Sequence, residues 1–401
     1  MASWVGGRAI ATPSQLEEVV RAIHKTPIID NHAHPLLTPD ALHQHPLMSI
    51  TTEASGDAIH AAKTSLSHLR GVRQLASVLK CEQNWEAVVA AIEQKRIDSP
   101  FDWVTQCLAG IETILVDDGL DNQDESQDYD WHDDYTRSSC KRIVRVERVA
   151  GEIIKELGAG LDRSSQSLET VFDQFLATFD ERVNEAVEDP EVVGFKSIVC
   201  YRTGLDVPRS VDVAAVRKAF VARFTEPGTL EAFQRLEHVE LNDLVVHRTA
   251  QHIRDSASRR KKPFQFHTGL GDNDITLTTA SPAHLQEFIR AYPSVPIVLL
   301  HASYPYMREA GYLASVYENV YADIGEVFPF VSQDGQERVV RQVLELCPWS
   351  KILWSTDGHW FPETYILAIM QMREVMQTVS PTTRVFLPSG DGFANPVIKN
   401  D

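Results

Sequence analysis

Short apolar runs of strand character recur along the chain. Each closes in polar or glycine-containing residues, and each is followed by a longer stretch in which apolar positions return at helical spacing. The runs are "PIIDNHAH" from Pro27, "IETILVDDG" from Ile111, "KRIVRVER" from Lys141, "VVGFKSIVCYR" from Val192, "PFQFHTG" from Pro263, "PIVLLHAS" from Pro296, "NVYADIGE" from Asn319 and "KILWSTDG" from Lys351. Strands that alternate with helices pair in parallel through crossover helices, and eight such units are the number that closes an α/β TIM barrel, (β/α)8. An open doubly wound sheet would share the alternation, but it gives no reason for polar residues to gather at the ends of so many strands.

Three stretches depart from the repeating unit. Residues 40–110 contain "SLSHLRGVRQLASVLK" and "NWEAVVAAIEQKRI", apolar at helical spacing, and read as an α-helical insertion between strands 1 and 2 that lies over the barrel mouth as a lid. The loop after the second strand, Val116 to Asp134, holds nine acidic residues; a solvated acidic loop is the favoured reading, since the ligand order of an EF-hand is absent. The tail from about 380 to 401, "FLPSGDGFANPVIKND" at its end, reads as an extended terminal arm. The whole of residues 1–401 is taken as a single barrel domain.

Composition narrows the function. Apolar residues make up 43% and charged residues 23%, as in a globular protein with a sizeable core. Thirty-eight Lys and Arg face 56 Asp and Glu, a formal charge of −18, so the surface repels phosphate backbones and anionic lipid. Neither nucleic acid nor a membrane is expected as a partner. The cysteines Cys81, Cys107, Cys140, Cys200 and Cys347 are scattered, odd in number and without CxxC spacing, which points to a reducing compartment. With no apolar leader, no Asn-x-Ser/Thr acceptor and no apolar run of membrane-spanning length, the expectation is a cytoplasmic protein.

The chemistry sits at the strand ends, where barrels of this class carry their active sites. The first strand ends in His32-Ala33-His34, two imidazoles on one face of a strand. The fifth ends in His267, the sixth in His301 and the eighth in Asp357. In "FQFH" the inward set is Gln265 and His267, with Phe264 and Phe266 turned to the helices; in "ILWSTD" it is Leu353, Ser355 and Asp357. Imidazole and carboxylate donors converging from rigid strands are what a catalytic divalent metal requires.

"DNHAHP", "FHTG", "LLHASYP" and "STDGHW", in that order and spacing, resemble the amidohydrolase superfamily, specifically the amidohydrolase-2 branch, which also contains metal-dependent decarboxylases. "GIETILVDDGLD", "RIVRVERVA", "GFKSIVCYRTGL" and "FHTGLGDNDITL" look closer still to the amidohydrolase-like domain that precedes a glutamine-synthetase-like domain in fungal FluG-type and plant nodulin-type proteins. The resemblance runs from about residue 20 to residue 375. No glutamine-synthetase-like half lies in the 401 residues, so a free-standing version is expected and roles owed to that half are not carried over.

The resemblance implies His32, His34, His267, His301 and Asp357 as ligands of one or two divalent ions, zinc first and manganese second. His301 would either complete a second metal position or orient the reacting oxygen. A metal of this kind brings the pKa of bound water to about 7; Asp357 would be the general base that passes the proton to the leaving amine, with His301 stabilising the oxyanion. Lys196 on the fourth strand has two readings, a carboxylated lysine that bridges two metals or a charge-paired lysine set too deep to reach them. Arg145 and Glu147 share a face; they pair with each other, or Glu147 meets a substrate ammonium. Arg202, just past the fourth strand, either clamps a substrate carboxylate or forms a structural ion pair. Trp103, Trp131, Trp354 and Trp360 fall where they could line a pocket, though lid or core packing is the commoner fate of such residues.

The leading expectation is a metal-dependent hydrolase of a C–N amide bond in a small molecule, with a γ-glutamyl amide as the attractive substrate by analogy. A metal-dependent non-oxidative decarboxylase of an aromatic or heterocyclic acid is the runner-up. A catalytically silent barrel with a regulatory role is the third. Related barrels often form homodimers, which is the expected assembly.

Overall fold

Every one of the eight predicted strands forms. In the computed structural model, which describes residues 13–120, 123–161 and 166–382, they are β1 (Ile28–Ala33), β2 (Ile111–Asp117), β3 (Lys141–Arg145), β4 (Val192–Ser197), β5 (Phe264–Phe266), β6 (Ile297–Leu299), β7 (Val320–Asp323) and β8 (Ile352–Leu353). They pair in parallel in the order of the chain, so neighbours in sequence are neighbours in the sheet. The chain leaving β8 returns to β1 through a run of main-chain contacts, among them the following. Asn31 N–H donates to Trp354 C=O at 3.1 Å, Asp357 N–H donates to His32 C=O at 3.1 Å, and Leu36 and Trp360 form a parallel bridge. The barrel is thereby nearly closed, with its first and last strands held in register at the end that carries His32, His34 and Asp357.

The alternation along the strands sorts side chains as read from the sequence. Phe264 and Phe266 face outward and pack on Phe288, while Gln265 crosses the interior and donates from Nε2 to Asn31 C=O at 2.8 Å. Outside the barrel, Phe172, Phe175, Phe179, Phe220 and Phe224 interlock helices Leu168–Glu188 and Val213–Phe224 in a core shared with the strands. Burying a side chain of this size is worth roughly 1.5–3 kcal/mol, so this layer holds the strands in place from behind.

The insertion between β1 and β2 is helical, but its helices do not cover the mouth. Leu66–Leu79, Trp85–Asp98 and Pro100–Cys107 start at sites with clear causes: the Ser65 hydroxyl caps His68 N–H at 3.2 Å, the Asn84 side chain caps Ala87 N–H at 2.8 Å, and Pro100 occupies a first-turn position where no donor is needed. They lie against the last helix, Pro362–Thr382, through Arg70 to Glu374 at 2.6 Å, Arg96 to Glu363 at 3.0 Å and Trp103 Nε1–H to Glu363 at 2.7 Å. The buried Arg70 and Glu363 side chains pin these helices to the flank. Residues 46–59, ahead of them, are the part that lies over the mouth.

The acidic loop differs from the solvated loop expected. Asp117 and Asp118 pair with Arg145 and Arg142 at 2.7 and 2.8 Å, Glu125 pairs with His45 at 2.8 Å, and Asp133 accepts from Cys140 N–H at 2.6 Å. Main-chain bonds from Thr38 to Glu125 and from Gln127 to Leu36 tie the loop to the exit of β1. Pairing across the chain, rather than water, absorbs much of its charge. Residues 383–401 of the expected terminal arm lie outside the described residues. No helix among the described residues is long and apolar enough to cross a membrane.

Candidate metal centre

β1 delivers two imidazoles to one point. The rings of His32 and His34 stand 4.9 Å apart, centroid to centroid, as neighbours on one face of a strand should. His34 donates its Nδ1 proton to Asp117 C=O at 2.9 Å, which leaves Nε2 facing Asp357 Oδ1 at 3.4 Å. His32 Nε2 lies 3.5 Å from the same oxygen. From the far side of the barrel His267 gives its Nε2 proton to Leu270 C=O at 2.7 Å, and its ring sits 4.3 Å from that of His301. His301 Nδ1 faces Glu326 Oε2 at 3.2 Å, and the ring lies 5.6 Å from that of His32. In each anchored histidine a main-chain acceptor holds one nitrogen and turns the other toward the centre, the usual orientation of a metal-binding imidazole.

The backbone here is held in conformations that side chains seldom adopt. His301, Ala302, Ser303, Glu326, Asp357 and Trp360 all have φ between 50° and 65°. Such residues cost of order 1–3 kcal/mol each and cluster at functional sites. Gly269, at φ 76°, has its Cα so close to Tyr304 C=O that a Cβ would fall 2.3 Å from it, so the loop after His267 closes on the loop after His301 only with glycine.

Below the ligands lies a polar layer that the sequence reading did not identify. Asp30 accepts from Thr356 N–H at 2.9 Å and from the Thr356 hydroxyl. Asp323 accepts from His301 N–H at 3.1 Å, Gly325 N–H at 2.9 Å and the Ser355 hydroxyl at 3.0 Å. Burial lifts both carboxyls to about 7 against these hydrogen bonds. They fasten the ends of β1, β6, β7 and β8 to one another.

Electrostatics suits a cation. Burial holds His32 and His267 well below the ordinary histidine range and His301 down at about 3, so all three are neutral and have lone pairs to offer. Burial pushes Asp357 upward, but His301 and His34 outweigh it and hold the carboxyl well below its usual range. Burial brings the Lys196 ammonium down to about 8, with its Nζ 3.0 Å from His32 Nε2. His301 Nε2, Asp357 Oδ1 and Glu326 Oε2 are buried without a hydrogen-bond partner, which is costly unless a ligand meets them. Three overlapping sets, His32–His301–Asp357, His32–His34–Asp117 and His267–His301–Glu326, each place three donor atoms within 4.8 Å of one another. Neutral imidazoles, the ionised carboxylates of Asp357 and Asp117, and unmatched buried atoms together fit a divalent cation, while burial holds the Glu326 carboxyl well above its usual range.

The residues singled out in the sequence fall into three groups. His32, His34, His267, His301 and Asp357 converge. Lys196, for which too deep a position was one reading, reaches the centre. Arg202 lines the cavity above it, with Nη1 4.0 Å from Asp274. Glu147 does not come to this cavity. β3 ends at Arg145, so Glu147 begins a helix, and its carboxylate accepts from the Ser197 hydroxyl at 2.6 Å and Ile198 N–H at 3.1 Å, bracing the end of β4. Arg145 is engaged by Asp117. Of the four tryptophans only Trp360 lines the cavity; Trp103 is core. Asp117 and Glu326 were missed, although "LVDD" and "DIGE" end strands just as the histidine motifs do.

The cavity holds about 670 Å³, enough for a small molecule, with Lys196, His301 and Asp357 among its lining residues. Arg145, Arg202 and Arg235 supply cationic groups, and Glu53, Asp272 and Asp274 supply acidic ones. Burial raises the Glu53 carboxyl to about 7, opposed by His359 and reinforced by Asp357 and Asp272.

Comparison with known proteins bears on this geometry. The family model described as "Amidohydrolase" matches residues 166–385. Protein fluG of Emericella nidulans is 42% identical over 382 residues, covering 92% of this chain and 44% of that protein, so the chain spans less than half the length of this curated relative. A crystal structure from Lactobacillus casei ATCC 334, provisionally described as a metal-dependent hydrolase, superposes with a TM-score of 0.74 at 26% identity, over 93% of this chain and 92% of that one. A uronate isomerase from Bacillus halodurans shares the fold, with a TM-score of 0.59 at 15% identity, over 94% of this chain and 90% of that one.

Proposed function

Because the chain belongs to the amidohydrolase family, we propose that it is a metal-dependent hydrolase acting on the C–N bond of a small amide, with a γ-glutamyl amide as the substrate class considered first. The observation that carries the reading is the gathering of His32, His34, His267, His301 and Asp357 in overlapping donor sets at the floor of one cavity, with His301 Nε2 and Asp357 Oδ1 buried and unmatched. Those five would hold the metal, zinc or manganese by donor type, with Asp117 and Glu326 as further carboxylates within reach. A divalent ion there supplies Lewis-acid polarisation of the scissile carbonyl and lowers the pKa of water.

The protein's own groups account for the remaining steps. Asp357, ionised and buried, accepts a proton from the attacking water as the C–O bond forms, and returns it to the amide nitrogen as the C–N bond breaks. His301 is neutral and stands beside it, positioned to orient the oxygen of the tetrahedral carbon. Arg202 pairs with a substrate carboxylate at the cavity wall. Lys196, against His32, fits a bridging carbamate in a two-ion centre, and as an ammonium it fits a substrate-binding group. Residue segment 46–59 lies over the mouth and limits access of bulk water, which strengthens each of these interactions.

The test is metal content per chain by plasma mass spectrometry on protein purified without chelator, beside the His32→Ala/His34→Ala double variant, followed by an amide and carboxylate substrate screen. About one or two equivalents of metal, lost in the variant, with ammonia or an amine released, supports the proposal. Carbon dioxide as product replaces it with a decarboxylase. No metal, and no response to added divalent ions, leaves the silent barrel.

A further inference from the structure

Glu53, Asp272 and Asp274 are acidic groups of the cavity that the hydrolytic scheme does not use; Asp272 and Asp274 have hydrogen-bond or ion-pair partners, which leaves Glu53. It comes from segment 46–59, outside the repeating strand-helix unit, and lines the same cavity as Asp357 and His301. It is largely withdrawn from water, and among the described residues no hydrogen bond or ion pair reaches it. The charged groups that act on it are His359, Asp357 and Asp272, so two of the three are like-charged. His359 is itself tied through Nδ1 to Asp357 C=O at 3.0 Å. A carboxylate beside other carboxylates, with no ion pair among the described residues, is suited to a cationic ligand group.

That cation is molecular and not a metal ion, because Glu53 belongs to none of the compact donor sets. The rest of the lining suggests the remainder of the ligand. Glu53 shares the cavity with His359 after β8, with Asp272 after β5, and with Arg202 after β4 and Arg235 before β5, which share Asp274 at 4.0 and 2.8 Å. A ligand held in this cavity has both an unpaired acidic group and guanidinium groups within its walls.

We propose that Glu53 is a specificity-determining residue that binds a protonated amine, and that the substrate of this site is zwitterionic, with an ammonium against Glu53 and a carboxylate against Arg202. This rests on the hydrolase reading for the identity of the reacting bond, but not for its own test. Glu147, the acidic residue that the sequence suggested for such a role, is occupied at the end of β4. The mouth segment supplies another.

The test is calorimetric binding to the metal-loaded full chain, using L-glutamate and glutarate, which differ by one ammonium group. Glutamate is expected to bind about 10- to 100-fold more tightly than glutarate, the range for a hydrogen bond to a charged group. Glu53→Gln is expected to erase that ratio by weakening glutamate while leaving glutarate unchanged, and Asp272→Asn to weaken glutamate by a smaller factor. Equal binding of the two probes, binding of neither, or equal weakening of both by Glu53→Gln overturns the proposal. Discrimination without any amide turnover would retire the hydrolase reading and leave this one; amide turnover without discrimination would do the reverse.

Discussion

Two layers of buried carboxylates occupy the barrel interior, and they are treated differently. In the lower layer, Asp30 receives donors on both oxygens, and Asp323 gathers three on Oδ2 while its Oδ1 stays unmatched. In the upper layer, Asp357 Oδ1 and Glu326 Oε2 face histidine nitrogens and receive no donor. Both layers lose hydration on burial. The lower one recovers much of it within the protein by linking strand ends, so it is framework. The upper one leaves acceptor oxygens beside imidazole nitrogens, which is the arrangement a binding centre would use.

Substitution separates the layers most sharply through activity. Asp357→Asn should lower turnover by about 10²- to 10⁴-fold, the range for losing a general base, in a steady-state assay of amine release. In metal-free protein the same change should leave the thermal midpoint equal or higher, since it removes an unmatched buried charge and asparagine tolerates the positive φ at this position. A midpoint that drops by many degrees would place Asp357 in the framework instead.

Asp30→Ala should do the reverse. It strands the Thr356 N–H and hydroxyl in the interior and should cost about 2 kcal/mol or more of unfolding free energy by denaturant titration, with the segment after β8 losing one of its ties to β1. Metal supplies the next contrast. Removal by chelator should lower the midpoint by several degrees, because a ligand present at about 100 times its Kd stabilises by about 2.7 kcal/mol, and scanning calorimetry with and without zinc reads this directly. The shift should vanish in the His32→Ala/His34→Ala variant.

The smallest effect tests whether burial alone, away from the barrel axis, behaves like the lower layer. Burial, with Glu240 and Asp206 nearby, raises the Asp243 carboxyl to about 7 from its ordinary 3.8. The folded state therefore holds this proton more tightly than the unfolded chain. Its contribution to stability is complete below the unfolded value and is lost as pH rises through about 7. Between pH 5 and pH 8 the wild-type midpoint should fall by more than that of Asp243→Asn; equal slopes would mean the group is solvated.

Strand count, strand order and the gathering of His32, His34, His267, His301 and Asp357 were legible in the sequence because each rests on short-range regularity. Side-chain alternation aims His32 and His34 together, and a barrel of parallel units places every strand end on one rim, whatever the loops do. Lys196 and Arg202 could be located by the same counting. Asp117 and Glu326 ended strands too, yet one stood in an acidic run and the other beyond a glycine, where spacing alone does not say which carboxylate turns inward. Glu147 was placed on the strand, but β3 stops two residues before it and a helix begins at Val146, which takes its carboxylate to Ser197 and Ile198 at the end of β4. Which part of the insertion covers the mouth, which buried acids are matched by donors, and that Glu53 stands unpaired above the centre were decided only by tertiary structure. Each depends on contacts between residues far apart in the chain, and no local pattern records those.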